Sequence, residues 1–363
     1  MIKTRIGKLR RRLKQEGLPA ILITVPANRF YLSAFTPEDG QAGESSGALL
    51  ISQDAAFLLT DFRYKLTALA EAVYYEIRLC PAGQAQELAE LSRDLGLKKL
   101  ALEEGGLLFS QWRQLEKNLP GLELVPAGGL VEDLRQIKEG AEIEAIRRSL
   151  ELMEQALMQT MSQTAAGRSE RALALELERA VQDLGGDGLS FPAIVAGGPR
   201  GAEPHAQAGG DIISPDSPLV VDVGAAHKKY MSDITRTYLE QGREGFKWKE
   251  VYATVRQALE TALAGIKPGM SGAQADALAR RVIEKKGYGP NFGHSLGHGV
   301  GLMVHEAPSL SPRSRQQLLP GMVFTLEPGI YIPGWGGVRL EQMVALEETG
   351  CRLLNRLDHF YNE

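Results

Sequence analysis

The sequence predicts a two-domain α/β protein: an α/β domain over residues 1–128 and a larger second domain over residues 129–363. Three observations lead there. The chain has 363 residues, a comfortable length for two domains. Its first ~125 residues alternate helical spacing with short apolar, β-branched runs, the pattern of a compact α/β layer. Around Pro126-Ala-Gly-Gly129 a turn-rich stretch intervenes, and a long helical pattern begins near Glu139.

The basic N-terminus carries Ile6, Leu9 and Leu13 at helical spacing, which predicts an amphipathic surface helix. A secretory signal would need an uninterrupted apolar run after its charges, and Lys14-Gln-Glu-Gly17 breaks it. Ala20-Ile-Leu-Ile-Thr24 follows as a strand. The runs Gly47–Ser52 and Ala56–Thr60, separated by Gln53-Asp54, predict a hairpin, and residues 98–102 another buried strand. In the second domain Ile143, Ile146, Leu150, Met153 and Leu157 form one helical stripe, and further helices are expected near 169–184 and 245–266.

Composition excludes several classes. Hydrophobic residues make up 44% and charged residues 24%, enough for a core without disulfides or structural metal. A net charge of −4 gives no basic field for nucleic acid. No apolar stretch approaches the roughly 20 residues that span a bilayer, so no membrane partner is expected. Two distant cysteines, Cys80 and Cys351, form no CxxC pair, which suits a reducing, cytoplasmic compartment.

The chemistry concentrates late in the chain. Of six histidines, His294, His298 and His305 fall within twelve positions, interleaved with Gly293, Gly297, Gly299 and Gly301. Glycine at that density suits backbone brought close to a ligand or metal. Acids sit in four strand-like runs: Asp222 in Leu219-Val-Val-Asp-Val223, Asp233 before Ile234-Thr-Arg-Thr237, Glu327 after Val323-Phe-Thr-Leu326, and Glu341 after Gly337-Val-Arg-Leu340. A buried carboxylate is costly unless paired. Two strands joined through His227-Lys-Lys229 would bring Asp222 and Asp233 side by side, where they repel unless a proton or cation lies between them. The economical explanation is a dinuclear centre of four carboxylates and one imidazole. Such a donor set favours manganese, iron or cobalt, with zinc also accommodated.

Five motifs make the sequence recognisable: Val221-Asp-Val-Gly-Ala225, Tyr230-Met-Ser-Asp-Ile-Thr-Arg-Thr237, His294-Ser-Leu-Gly-His-Gly-Val-Gly301, Thr325-Leu-Glu-Pro-Gly-Ile-Tyr331 and Gly337-Val-Arg-Leu-Glu341. In order and spacing they resemble metallopeptidase family M24, the pita-bread enzymes that include Xaa-Pro aminopeptidases, prolidases and methionine aminopeptidases. Asn28-Arg-Phe-Tyr-Leu-Ser33 resembles a tract of the creatinase-type N-terminal domain, so the likeness spans essentially the whole chain. The resemblance implies a creatinase-like α/β domain before a pita-bread α+β catalytic domain. It implies metal ligands Asp222, Asp233, His298, Glu327 and Glu341, with Asp233 and Glu341 bridging two divalent ions. Glu327 would accept a proton from the attacking water, and His305 would stabilise the tetrahedral intermediate. His205 would line the pocket beyond the scissile bond. His294 would either support the site or touch substrate, and Arg339 would pair with charge beside the metals. The resemblance also implies a homodimer in which one subunit's N-terminal domain narrows its partner's site.

The implied activity is hydrolysis of the N-terminal Xaa-Pro bond of a peptide. The alternatives are an Xaa-Pro dipeptidase, a metal hydrolase of the same fold without proline specificity, and, more remotely, a non-catalytic binding protein. Three departures bear on substrate. Glu341 is followed by Gln342 where relatives usually have aspartate. The segment after His205, Ala206-Gln-Ala-Gly-Gly-Asp211, is looser than the family pattern. Ser309 stands where prolidases often carry an arginine suited to a free C-terminal carboxylate, leaving Arg313 or Arg315 as sequence neighbours to replace it.

Overall fold

The computed structural model describes residues 1–41, 43–239 and 245–357. The chain divides into two compact units, Met1–Arg135 and Gln136–Glu363.

In the first unit, strands β1 (Ala20–Ile23), β2 (Gly47–Ser52), β3 (Ala56–Thr60), β4 (Glu76–Leu79), β5 (Lys99–Leu102) and β6 (Glu123–Pro126) form one mixed sheet in the order β4-β3-β2-β1-β5-β6. The expected hairpin is β2–β3, antiparallel, with Ile51 opposite Ala56. The N-terminal helix Ile2–Gln15 buries the anticipated stripe of Ile6, Leu9 and Leu13. Strands β4 and β6 gave no apolar run to read. They are the sheet's edges, only partly buried, with Glu76 and Glu123 exposed.

The second unit opens with helix Gly140–Thr160, whose stripe Ile146, Leu150, Met153 and Leu157 is buried. Glu139 caps it, and the Glu142 carboxylate accepts the Glu139 amide, so the helix starts where the apolar periodicity starts. The other anticipated helices run Glu170–Asp183, capped by Ser169, and Phe246–Gly265. A helix the sequence reading did not single out, Gly272–Lys285, lies against Phe246–Gly265 in one apolar core. Its signal was the Ser271/Gln274 capping box, followed by buried Ala275, Ala279 and Ile283. No helix among the described residues is long and apolar enough to cross a membrane.

Six short strands come first: β7 (Gly188–Leu189), β8 (Ile194–Gly197), β9 (Leu219–Val223), β10 (Ala225–His227), β11 (Tyr230–Met231) and β12 (Ile234–Tyr238). They form two three-stranded sheets, β12-β9-β8 and β11-β10-β7. Then follow β13 (Gly297–Gly299), β14 (Glu306–Leu310), β15 (Val323–Leu326), β16 (Gly329–Ile332), β17 (Gly336–Arg339), β18 (Gln342–Glu347) and β19 (Gly350–Leu353). Five of these make the sheet β14-β13-β15-β18-β19, while β16 and β17 pair with each other.

The glycines among the histidines have a different cause from the one the sequence suggested. A Cβ on Gly297 would lie 2.0 Å from the Thr325 carbonyl oxygen, and one on Gly299 would lie 2.2 Å from that of Ala307. The close approach is to neighbouring strands of the protein's own sheet. Gly293, by contrast, has open space where a Cβ would point. Gly297→Ala is therefore expected to lower stability by ~1–3 kcal/mol, because backbone must move, and Gly293→Ala by less than ~0.5 kcal/mol. Urea titration of the two variants beside wild type checks the contrast.

Candidate active site

The four acids converge through different pieces of backbone. Asp222 lies within β9 opposite Thr235 of β12, and Asp233 is the residue just before β12, whose first residue Ile234 faces Val223. As the sequence suggested, the strands joined through the His227-Lys-Lys229 turn bring them together: the β10–β11 and β9–β12 pairings share one antiparallel register. That turn, with Lys228 and Lys229 at φ 50 and 69°, closes the hairpin whose arms run from β10–β11 on into β9–β12. Glu327 follows the end of β15, and Glu341 falls between β17 and β18. Only Asp222 therefore sits inside a ladder; the other three occupy strand ends. The strand ends are still tied down: Glu327 donates its amide to the Leu296 carbonyl at 2.8 Å, and Glu341 to that of Thr235 at 3.1 Å.

Three groups of donors lie close enough to hold a cation. They are Asp222, Asp233 and Glu341; His298, Glu327 and Glu341; and Asp233, His298 and His305, with donor atoms within 4.8 Å of one another in each. The His298 Nε2 atom lies 3.4 Å from Glu327 Oε1 and 3.6 Å from Asp233 Oδ2. Oδ1 of Asp222, Oδ1 of Asp233 and Oε1 of Glu341 are buried with no hydrogen-bond partner. Leaving such oxygens unsatisfied is expensive. Burial, then the charges of Glu341, Asp222 and Glu327, push the Asp233 carboxyl well above the usual carboxylate range. Burial and then Glu327 and Asp222 do the same to Glu341, and burial raises Glu327 to about 8. Burial and then His305 lower His298 to about 4, so its ring is neutral and free to donate a lone pair. Hard oxygen donors crowded around one neutral imidazole fit divalent cations.

One cation of the chain itself answers part of this charge. The buried Arg339 guanidinium pairs through Nη2 with Asp222 Oδ2. Its Nε donates to Thr235 Oγ1 at 3.1 Å, and Thr235 Oγ1 donates to Glu341 Oε2 at 2.7 Å. Arg339 Nη1 donates to Tyr331 Oη at 2.8 Å, and Tyr331 Oη is 2.8 Å from His294 Nε2. The other His294 nitrogen, Nδ1, donates to the Ser295 carbonyl at 2.8 Å, so both ring nitrogens are engaged within the protein. Burial and then Arg339 lower His294 to about 4, which leaves Nε2 an acceptor for the Tyr331 hydroxyl. The sequence motif had contained Thr235 and Tyr331, but only the fold reveals them as links in this chain.

The cluster opens into a cleft of about 1180 Å³, lined by Asp222, Asp233, His298, Glu327 and Arg339, with His205, His294 and His305 also on its walls. His305 is exposed, and its ring meets that of His298 edge-on with centroids 4.3 Å apart. Burial and then the His205 ring lower its pKa, keeping it neutral near pH 7. Exposed His205 rides on a loop held by Glu170, a buried acid the sequence reading passed over. The Glu170 carboxylate accepts the amides of Gly197 and Gly209, each at 3.0 Å, and the Arg200 guanidinium at 3.1 Å. Its signal was faint, because Glu170 looks like an ordinary first-turn acid of a helix. Buried Asp276 does the same for the histidine segment, accepting Leu296 N and pairing with Arg280, which donates to the His294 carbonyl at 2.7 Å. Gln342 is buried, and its Oε1 accepts from Arg236 at 3.4 Å.

Comparison with known proteins agrees with this geometry. Residues 144–348 match Metallopeptidase family M24, and residues 5–137 match the Creatinase/Prolidase N-terminal domain. The chain is 39% identical to the uncharacterized peptidase YqhT of Bacillus subtilis, over 96% of this chain and 97% of that one. It superposes on an Xaa-Pro dipeptidase from Bacillus anthracis with a TM-score of 0.93 at 38% identity, covering 98% of both chains. It superposes on an X-Pro aminopeptidase from Thermotoga maritima with a TM-score of 0.85 at 36% identity, covering 94% of this chain and 97% of that one.

The raised carboxyl groups carry a pH signature. A carboxyl whose folded pKa exceeds its unfolded value contributes stability below the unfolded pKa and loses it as pH climbs to the folded one. For Glu327 that window runs from 4.5 to about 8. Chelator-treated protein should therefore show a Tm that falls between pH 5 and pH 8, and saturating divalent cation should flatten the slope. Calorimetric melts with and without cation check this.

Proposed function

The chain belongs to metallopeptidase family M24, and on that premise we propose that it releases the N-terminal residue from peptides whose second residue is proline. The observation that carries this reading is the buried cluster of Asp222, Asp233, His298, Glu327 and Glu341, with three carboxylate oxygens lacking a hydrogen-bond partner, at the floor of a cleft. These five residues would hold two divalent ions. By the family resemblance, Asp233 and Glu341 would each serve both ions; each belongs to two of the donor groups, as His298 does. Manganese, cobalt and iron match such oxygen-rich donors, and zinc is also compatible. When bound, the ions supply Lewis-acid polarisation of the scissile carbonyl and a water acidified toward neutral pH.

The protein's own groups do the rest. Glu327 takes the proton of the attacking water on its carboxylate and returns it to the departing prolyl nitrogen. Thr325 Oγ1 donates to Glu327 Oε1 at 3.4 Å and orients that carboxylate. His305, neutral and exposed to the cleft, donates a hydrogen bond to the developing oxyanion. His205, which lines the same cleft, contacts the peptide beyond the scissile bond. His294 acts by fixing Tyr331 and, through it, Arg339, and Arg339 holds Asp222 in place.

A cleft of about 1180 Å³ has room for a peptide longer than a dipeptide, which is compatible with the aminopeptidase. The relatives titled Xaa-Pro dipeptidase favour the second reading, cleavage of free Xaa-Pro. We also infer a homodimer, on the family resemblance; sedimentation as a monomer at micromolar concentration would remove that inference.

The decisive assay follows metal-dependent release of residue one from Xaa-Pro-Xaa, Xaa-Ala-Xaa and Xaa-Pro. Preference for the first supports the aminopeptidase and preference for the last the dipeptidase. Cleavage of the alanine peptide at equal rate sinks the proline reading. Glu327→Gln should lower kcat by ~10²–10⁴, and His305→Ala by ~10²–10³ with metal content unchanged.

A further inference from the structure

The catalytic cleft extends along one face of helix Glu170–Asp183. Arg171, Ala174, Leu175 and Glu178 all line it, and their spacing of i, i+3, i+4 and i+7 is a single helical stripe. The chemistry along the stripe is graded. Arg171 stands in the first turn, beside the 205–209 loop, to which its backbone amide is bonded through the Gly209 carbonyl at 2.8 Å. Leu175 follows, 47% exposed although it is a large apolar residue, and Glu178 closes the row. Phe191 and Pro192 line the cleft as well and add apolar surface to its wall.

Two guanidinium groups line the cleft. Arg339 is buried and committed to Asp222, Thr235 and Tyr331. Arg171 is exposed, and among the described residues its side chain has no ion pair or hydrogen bond. Other arginines are paired: Arg168, three residues earlier, with Glu176, and Arg200 with Glu170 and Asp211. Arg313 and Arg315, the candidates sequence offered for a carboxylate anchor, are not among the lining residues. An unpartnered guanidinium on the wall of a peptide cleft, near an exposed leucine, has the makeup of a subsite for a carboxylate carried on an apolar backbone.

We propose that Arg171 is a specificity-determining residue that binds a carboxylate of the peptide downstream of the scissile bond, with Leu175 beneath the intervening residue. This rests on the peptidase reading above. The carboxylate is either the C-terminus of a short peptide or an acidic side chain, and both would present the same anion to the same guanidinium.

A binding arm needs no turnover. Pro-Ala-Ala and its C-terminal amide, and the amides of Pro-Asp and Pro-Asn, are titrated calorimetrically into the metal-loaded full-length protein, R171Q and R171K. Wild type should prefer the carboxylate ligand by about threefold to tenfold, R171Q should lose the preference, and R171K should keep part of it. Preference for the acid of Pro-Ala-Ala assigns the anion to the C-terminus; preference for the aspartyl amide assigns it to a side chain. An equal acid-to-amide ratio in wild type and R171Q for both ligand pairs overturns the proposal. A kinetic arm compares Ala-Pro-Ala with its amide. R171Q should raise KM for the acid, leave the amide unchanged and leave kcat within about twofold. Failure of the peptidase reading looks different: no proline peptide is cut, while the binding preference persists.

Discussion

The second unit is organised around a single electrostatic difficulty, the burial of several carboxylates within a few ångströms of each other. Asp233 and Glu341 are almost completely removed from water, and Asp222 is nearly so. Ionised together and unscreened they would repel strongly, and each would forfeit its hydration. Arg339 and Thr235 satisfy one side of the cluster, on Asp222 Oδ2 and Glu341 Oε2. The opposite oxygens, Asp222 Oδ1, Asp233 Oδ1 and Glu341 Oε1, are left without hydrogen bonds. Partial satisfaction of this kind leaves donors positioned for a cation while fixing the direction in which each carboxylate points.

Holding that arrangement demands rigid backbone, and the strands supply it. Asp222 and Asp233 are placed by the β9–β12 register, so a one-residue slip would turn one of them away. Glu327 and Glu341 are anchored by amides bonded to Leu296 and Thr235. The glycines of β13 let it approach β15 and β14 closely enough for the His298 ring to reach Glu327 and Asp233. Behind them the helices Phe246–Gly265 and Gly272–Lys285 bury a continuous apolar core. Hydrophobic burial there opposes the electrostatic cost of the centre.

A second tier of polar groups transmits this rigidity to the walls of the cleft. The run from Ser295 through His294 and Tyr331 to Arg339 fixes a ring tautomer, a hydroxyl and a guanidinium in sequence, with every polar atom oriented by its neighbour. Glu170 performs a comparable service for the loop of His205, and Asp276 for the segment that leads into His298. These supports are ordinary carboxylates by type. Their function arises from being buried beside backbone amides.

The sequence by itself determined the fold class, the metal-ligand candidates and the histidine-rich segment. Acids inside apolar runs have few explanations, and apolar periodicity reports burial directly. It located helix Gly140–Thr160, the hairpin β2–β3 and the strand bearing Asp222. It did not reveal the edge strands β4 and β6, whose exposed positions carry no apolar run. It ascribed the glycines of β13 to a ligand, because a sequence cannot show which backbone lies against which. Only the tertiary structure decided that both His294 nitrogens are engaged internally, and that Arg171 faces the cleft while Arg313 and Arg315 do not line it. Residue type is set locally along the chain. Contact between residues a hundred positions apart is set by strand register and by packing in three dimensions, which no local pattern encodes.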